Sequence, residues 1–260
     1  MILDESVERI LGELSEKLRI IDFSICFRYA YAVVEGKYGR AMGVAYIPYE
    51  DAHGSSGLNE VPRLEKLREY VSSRNVLEKV AGVALLNAVS QYLLWYIHQD
   101  RYSINQDMDA FFILESEELQ KLKVVLIGYI APLEEMLRDK VRELAIIERS
   151  PFTRGNALPD IATPRVLPNA DVVFITGSAL INDTIDYVLA LSRKAKIKVL
   201  VGPTAQILPD VVFKAGITHV ASTRVIDIDN ACKMLKLGGG TRSLVKCGEK
   251  YVISMLRNRQ

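Results

Sequence analysis

Small and polar residues follow a strongly apolar run in the stretch "DVVFITGSALINDT", which spans residues 171–184. Gly177 permits backbone conformations that a residue with a β-carbon resists. If a helix begins here, its unpaired N–H groups favour an anion, and hydroxyl and amide side chains can bind a ligand. Asn182 or Asp183 could instead simply cap that helix, which stabilises it by about 1 kcal/mol. The candidate ligand-binding residues of this stretch are Thr176, Gly177, Ser178, Asn182 and Thr184.

A second candidate group begins where the apolar run "KVVLI" ends. Gly128 opens the turn, and Tyr129 follows it. Glu148 ends the next apolar run, at the spacing where a dinucleotide-binding fold places the acid that binds a ribose hydroxyl. The glycine-rich fingerprint of such folds is absent, because Tyr129, Ile130 and Ala131 stand where further glycines would be needed. Glu148 is therefore either a ligand-binding acid or a solvated carboxylate at the end of a strand.

The third group repeats the arrangement in "KVLVGPTAQILPD", where Gly202, Pro203 and Thr204 follow an apolar run. If the three runs are parallel strands, the turns at Gly128, Gly177 and Gly202 converge on one edge of the sheet. Three such turns in series predict a small-molecule site. No catalytic residue can be named from these patterns.

Elements that would position these turns alternate along the second half of the chain. Apolar runs alternate with helical patterns, including one at 182–194, and this predicts a parallel sheet with helices on both faces. The first half predicts an amphipathic helix over 3–18, an antiparallel hairpin made of "IDFSICFRYAYAVVE" and "GRAMGVAYIPY", and helices at about 64–73 and 76–99. We place the domain boundary after residue 108. The predicted domains are therefore an α+β unit over 1–108 and an α/β unit over 109–260.

One segment, "VAGVALLNAVSQYLLWYI" over 80–97, is long and apolar enough to cross a membrane. Against that interpretation, Asn87, Ser90 and Gln91 lie in its middle, and Glu78, Lys79 and His98 flank it closely. We interpret it as a buried core or interface helix, and we expect no membrane association.

Composition narrows the class of protein. The chain of 260 residues is 49% hydrophobic and 25% charged, which is typical of a globular protein. Its net charge of +1 gives no electrostatic indication of nucleic-acid binding. The three cysteines, Cys26, Cys232 and Cys247, are widely separated, and a cytoplasmic location fits such a pattern. No cysteine pair or histidine shows the spacing of a local metal site.

Other polar features have plainer interpretations. Asp227 and Asp229 indicate a helix start rather than a metal pair. The glycines of "GGG" at 238–240 indicate a flexible link. Arg149 and Arg154 are candidates for anion contacts or for a lid.

Several stretches together resemble a known family. They are "GVAYIPYED", "GVALLNAVS", "KVVLIGYIAPLEEML", "LPNADVVFITGSALINDTID" and "VLVGPTAQILPDVVFKAGITHVAS". They are similar to the family called "putative heavy-metal chelation", a domain of unknown function. The resemblance implies an enolase-N-terminal-like amino domain, a Rossmann-like carboxyl domain and a site in the cleft between them. Within that carboxyl domain, "LPNADVVFITG" resembles the fourth strand of dehydrogenase-like folds. The resemblance implies that the segment 149–168 replaces the strand and helix that such folds have before it, so that Gly128 and Gly177 flank the topological switch point.

We therefore predict a cytoplasmic protein that binds a small polar or anionic metabolite between its domains, with a role in heavy-metal chelation or chelator metabolism. The cofactor could be an adenosine-containing ligand or a chelated metal. One alternative is a transferase that uses S-adenosylmethionine or a nucleotide. Another is a non-catalytic sensor or assembly subunit, with the helix over 76–99 as its self-association surface. A homodimer or higher homo-oligomer is the expected assembly.

Overall fold

The computed structural model describes residues 1–255, and its first sheet has three antiparallel strands in chain order. They are β1 (Arg19–Ile25), β2 (Tyr29–Gly36) and β3 (Gly39–Tyr46). The predicted hairpin is the β2–β3 pair, in which Gly36 faces Gly39 across a two-residue turn. The run "IDFSICFRYAYAVVE" is two strands rather than one. The turn between them is closed by the Cys26 N–H, which donates to the Tyr29 carbonyl at 3.1 Å, and it contains no glycine or proline that would have marked it.

Four helices accompany this sheet. They are α1 (Ile2–Glu13), α2 (Tyr49–Ala52), α3 (Leu67–Val71) and α4 (Val76–Tyr92), and a π-helical turn, Leu93–Ile97, extends α4. Helix α1 ends well before residue 18, where the sequence pattern placed its end. Helix α4 begins where the Asn75 side chain accepts a hydrogen bond from the Leu77 N–H at 3.0 Å.

The second sheet has seven strands. They are β4 (Ser103–Gln106), β5 (Lys123–Ile127), β6 (Glu143–Ile147), β7 (Val172–Thr176), β8 (Ile197–Val201), β9 (His219–Val225) and β10 (Gly248–Ser254). Their order is β4-β10-β9-β8-β7-β5-β6. Five neighbouring strands, β9, β8, β7, β5 and β6, are parallel to one another. Strand β10 runs antiparallel to both β9 and β4. The predicted α/β fold class, an antiparallel unit followed by a largely parallel sheet, is confirmed.

Strands β4 and β10 were not predicted. Strand β4 lies before residue 108 and still joins the second sheet, so the chain enters this sheet earlier than its apolar pattern indicates. The division into domains at 108 stays a prediction.

Within the described residues, the second half of the chain has seven α-helices. They are α5 (Ala131–Leu137), α6 (Thr163–Val166), α7 (Ser178–Ile181), α8 (Ile185–Leu191), α9 (Asp210–Lys214), α10 (Ile228–Lys236) and α11 (Thr241–Lys246). Both faces of the sheet are covered. Val124, Leu126 and Phe174 pack with Leu133 of α5 on one face, while Ile175 packs in the large core cluster on the other. Helix α10 begins at Asp227, whose carboxylate accepts from the Asn230 N–H at 3.1 Å, so the interpretation of this residue as a helix start is confirmed.

Helix α4 forms the shared core of the two sheets. Its apolar side chains pack in one cluster with Ala32 of β2 and with Val173 and Ile175 of β7. Among the described residues, Val76–Ile97 is long and apolar enough for a membrane span by length and composition alone, and 89% of its most apolar window is buried inside the chain. A helix that is apolar on all sides suits a position between two sheets. It is therefore a core helix, and its predicted use as a self-association surface is wrong because its own chain covers it.

The opposite face of the first sheet is covered by α10 and α11. Tyr31 and Met42 pack against Ile228, Cys232 and Leu244 of α10 and α11. The antiparallel sheet thus lies between α4 on one side and α10–α11 on the other.

Candidate functional site

Three turns touch one another at the carboxyl ends of β5, β7 and β8. Gly128 has a φ of 94°, and a β-carbon placed on it would lie 2.7 Å from Cγ2 of Thr176. A β-carbon on Gly177 would lie 2.6 Å from the backbone nitrogen of Ala205. We call this row of turns, 128–130, 176–178 and 202–204, the strand-end edge. It is continuous because β5, β7 and β8 are neighbours in the sheet.

The contact between Gly128 and Thr176 marks the topological switch point of the sheet. From β5 the chain first moves to β6 on one side and then crosses to β7 on the other. Open α/β sheets place their ligand crevice at this point. The predicted position of Gly128 and Gly177 beside it agrees with the strand order.

Gly177 does not have the special backbone conformation that the sequence predicts. Its φ is −56° and its ψ is −21°, values that any residue adopts. Glycine is needed here because the backbone of Thr204 and Ala205 packs directly against it. Gly202, by contrast, has a φ of 105°, and no atom lies within 4 Å of a β-carbon placed on it. Its role is conformational.

Thr204 joins the two sheets. Its Oγ1 accepts a hydrogen bond from the Tyr46 N–H at 2.9 Å, and its carbonyl oxygen accepts one from Nδ2 of Asn87 at 2.9 Å. The Thr204 side chain is only 3% exposed, and Pro203 is also buried. Both side chains therefore pack inside the protein, and neither is among the ligand contacts proposed below.

Asn182 and Thr184 bond to each other. The Thr184 hydroxyl donates to Oδ1 of Asn182 at 2.6 Å, and the backbone N–H of Thr184 donates to the same oxygen at 3.3 Å. The predicted helix over 182–194 is the shorter α8 (Ile185–Leu191), and Asn182 lies before it, between α7 and α8. Asp183, with a φ of 56°, pairs with the buried ammonium of Lys79 on α4. The turn between α7 and α8 is therefore joined to α4 by this ion pair.

Glu148 reaches back from the end of β6 to the turn after β5. Its Oε2 accepts from the Tyr129 N–H at 2.7 Å, and its Oε1 accepts from the Ser150 N–H at 2.7 Å. Each carboxylate oxygen can accept a second hydrogen bond. The carboxylate is therefore oriented by the backbone at the switch point while it keeps capacity for a ligand donor.

Two hydroxyl groups also lie on the strand-end edge, at the end of β7. Oγ1 of Thr176 and Oγ of Ser178 lie 3.1 Å apart, and both side chains are half-buried. A hydroxyl pair of this kind can donate and accept. The Tyr129 side chain, 44% exposed, lies at the outer end of the same row.

The first sheet contributes a group of aromatic rings that sequence reasoning did not assign to the site. We call Phe27, Tyr29, Tyr46 and Tyr49 the aromatic cluster; the Tyr46 and Tyr49 ring centroids are 6.4 Å apart. Burial above all, with the negative charges of Glu50 and Glu148 nearby, raises the pKa of Tyr46 to about 12. The signal for this cluster was the pair of tyrosines that flank Ile47 and Pro48.

Arg149 and Arg154 are held within the protein. Arg149 makes a two-pronged ion pair with Asp51 of α2, at 2.7 and 2.8 Å, which ties the first sheet to the end of β6. Arg154 donates to the carbonyl oxygens of Glu148 and Arg149, at 2.9 and 2.6 Å. Both guanidinium groups therefore fix the segment after β6.

The described residues do not fit a bound metal ion. Among residues 1–255, no three histidine, cysteine, aspartate or glutamate side chains come together as a group that could hold one. Cys232 and Cys247 are buried and Cys26 is half-buried. Burial raises the pKa of all three thiols, that of Cys232 to about 11. Thiolate is the metal-binding form, so these thiols are poor ligands at neutral pH.

Comparison with known proteins relates both halves of the chain to families with the same description. The DUF364 family model, described as "Putative heavy-metal chelation", matches residues 110–254, and the DUF4213 model, with the same description, matches residues 7–90. An uncharacterized protein of Methanocaldococcus jannaschii is 35% identical over 263 residues, which cover 98% of each chain.

Two solved structures are similar throughout. A DUF364-family protein of unknown function from Pyrococcus horikoshii is 32% identical, with a TM-score of 0.86 over 98% of this chain and 100% of that one. One from Desulfitobacterium hafniense is 21% identical, with a TM-score of 0.77 over 97% and 98% of the two chains, and it supports the fold. The resemblance drawn from the sequence is confirmed: the chain belongs to the DUF364 family, whose description is "Putative heavy-metal chelation".

Proposed function

We propose that this protein binds a small, hydroxyl-bearing polar metabolite at the strand-end edge, with Glu148, Thr176 and Ser178 as its polar contacts. The observation that carries this proposal is the Glu148 carboxylate, which is held by the Tyr129 N–H at the switch point. A carboxylate fixed in that position is suited to accept hydrogen bonds from paired hydroxyls such as those of ribose.

The same geometry favours a neutral polar ligand over an anionic one. The Glu50 and Glu148 carboxylates carry negative charge near the aromatic cluster, while Arg149 is already paired with Asp51. The helices after β5 and β7 have only seven and four residues. Tyr129, Ile130 and Ala131 stand where a dinucleotide-binding fold has glycines, and their side chains would keep a pyrophosphate away from the backbone. These features support an adenosine-like ligand without a phosphate chain.

Aromatic rings support the base of such a ligand. Tyr46 and Tyr49 belong to the first sheet and its following helix, and the Asp51–Arg149 pair brings that region to the end of β6. Base rings stack favourably on aromatic side chains. A ligand lying between the aromatic cluster and Glu148 would therefore be bound by both halves of the chain.

The family description suggests a role in metal chelation, and we assign this role to an organic chelator or its precursor rather than to direct metal binding. The absence of a metal-binding group among residues 1–255 supports a protein that acts on an organic molecule rather than on a free ion. The three unpaired cysteines support the cytoplasm as its location.

Calorimetric titration with adenosine and with 2′,3′-dideoxyadenosine tests the proposal. Adenosine should bind, and removal of the two hydroxyls should weaken binding by roughly 1.5–3 kcal/mol, the scale of hydrogen bonds to a charged group. S-adenosylmethionine, which keeps the ribose, should bind as well. Equal affinities for adenosine and the dideoxy compound would exclude Glu148 as a ribose acid. Failure of both adenosine and S-adenosylmethionine to bind would exclude it as well.

A further inference from the structure

A separate pocket lies where the end of β9 meets the end of α4. It has a volume of about 140 Å³ and is lined by none of the residues of the strand-end edge. Met42 and Trp95 come from the first half of the chain, and Arg224 and Ile228 come from the second. Such a volume accommodates a small molecule of a few heavy atoms and excludes a nucleotide.

Trp95 forms a fixed wall of this pocket. Its indole Nε1–H donates to Oε1 of Gln91 at 2.9 Å, and its ring meets that of Tyr251 edge-on, with centroids 5.3 Å apart. Only 4% of Trp95 is exposed. The ring is therefore held in one orientation before any ligand arrives.

Arg224 stacks on this ring. The carbon at the centre of its guanidinium group lies 4.4 Å from the Trp95 ring centroid. A guanidinium that lies over an aromatic ring directs its N–H groups in its own plane, where they match the two oxygens of a carboxylate. The stacked arginine is thus prepared to bind an oxyanion through its edge.

The Arg224 guanidinium is not paired with a carboxylate of the described residues. Among the described residues, none makes an ion pair with it, although Glu249 is its register partner on β10. The other arginine of the pocket, Arg40, is bound at the rim by Asp229, with Nη1 and Oδ1 3.0 Å apart. Arg224 therefore supplies the positive charge that is open to a ligand.

The rest of the lining selects among oxyanions. Met42, Val225 and Ile228 are buried and apolar, and they would leave the hydration of an inorganic phosphate uncompensated. An aliphatic side chain would be buried favourably against them. We propose that this pocket binds the carboxylate of a small organic acid, with Arg224 as the anchor and the apolar wall around its aliphatic part.

Trp95 is the one tryptophan of the chain and gives a direct readout. In a ¹⁵N-labelled sample without phosphate or carboxylate buffer, its indole N–H resonance should shift saturably on titration with 3-methylbutanoate. The neutral amide of the same acid has the same shape and lacks the charge. It and inorganic phosphate should each bind at least about ten-fold more weakly. Equal binding of the amide would overturn the role of the charge, and equal or tighter binding of phosphate would overturn the selection of an organic acid.

Variants locate the site. Arg224→Gln should weaken binding at least about ten-fold, and Arg224→Lys, which keeps the charge but not the fork, should fall between it and the wild type. The exposed Arg193→Gln serves as the matched control and should bind as the wild type does. Unchanged affinity in both Arg224 variants would overturn the proposal. Because the amide comparison uses unaltered protein, the test does not depend on the folding of any variant, and adenosine titration of the same sample shows separately whether the strand-end edge binds its ligand.

Discussion

Asn87, in the middle of α4, donates a 2.9 Å hydrogen bond to the carbonyl oxygen of Thr204 in the turn that follows β8. The same Nδ2 donates to the carbonyl oxygen of Val44 on β3 at 2.8 Å. One fully buried amide thus joins the shared helix, the first sheet and the strand-end edge. The proposed site between the halves of the chain depends on this fixed relationship.

Asn87→Ala should destabilise the protein strongly. The substitution leaves two buried carbonyl oxygens without their donor, and each unpaired group costs roughly 1–3 kcal/mol. Urea unfolding followed by circular dichroism should show a loss of roughly 2–5 kcal/mol in the free energy of unfolding. The exposed Asn156→Ala is the control, with an expected change within about 0.5 kcal/mol. A loss of similar size in both variants would show that the Asn87 link is not special.

Two glycines should respond to alanine with opposite signs. Gly177→Ala places a β-carbon 2.6 Å from the Ala205 nitrogen, so the backbone must move and stability should fall by roughly 1–3 kcal/mol. Gly12 lies in α1 with no atom within 4 Å of such a β-carbon, so Gly12→Ala should stabilise by roughly 0.5–1 kcal/mol. Thermal unfolding of the pair measures both effects. A stabilising Gly177→Ala would refute the packing explanation of this glycine.

Alkaline pH should weaken the fold through its buried tyrosines. Burial raises the pKa of Tyr46 and Tyr92 from 10.0 to about 12. Since the folded state favours the neutral phenol, its contribution is complete below the unfolded pKa of 10.0 and is lost as pH rises through 12. The free energy of unfolding, measured with urea across this range, should fall less steeply in Tyr46→Phe than in the wild type. Identical slopes would mean that Tyr46 ionises in the native protein as readily as in the unfolded chain.

Thiol chemistry tests the conclusion about metals. With burial raising the pKa of all three thiols, the native protein should react slowly with Ellman's reagent at neutral pH, and three thiols should react rapidly in urea. Untagged protein dialysed against zinc or cadmium should retain less than one equivalent. Stoichiometric, tightly bound metal would contradict the assignment of the family's chelation role to an organic ligand.

Local sequence patterns were sufficient for the parallel strands and for two of the three turns. The apolar runs that became β5, β7 and β8 predict buried strands, and Gly128 and Gly202 have the positive φ angles that favour glycine. Gly177 has an ordinary φ, and its need for glycine comes from Thr204 and Ala205, which no local pattern reveals.

Long-range contacts were beyond prediction. The role of Asn87 depends on carbonyl groups of Val44 and Thr204, which are far from it in sequence. The stacking of Arg224 on Trp95 likewise requires β9 to meet α4. Polar residues inside an apolar helix were the available signal for Asn87, since a buried amide must find partners.

Calorimetric titration of adenosine into wild-type protein and into Glu148→Gln tests the central claim most directly. The Glu135→Gln variant alters an exposed carboxylate on α5 and serves as the control. The strand-end site predicts that Glu148→Gln weakens binding by roughly 1.5–3 kcal/mol while Glu135→Gln leaves it unchanged. Equal affinity in all three proteins, with the variants folded as the wild type, would contradict it.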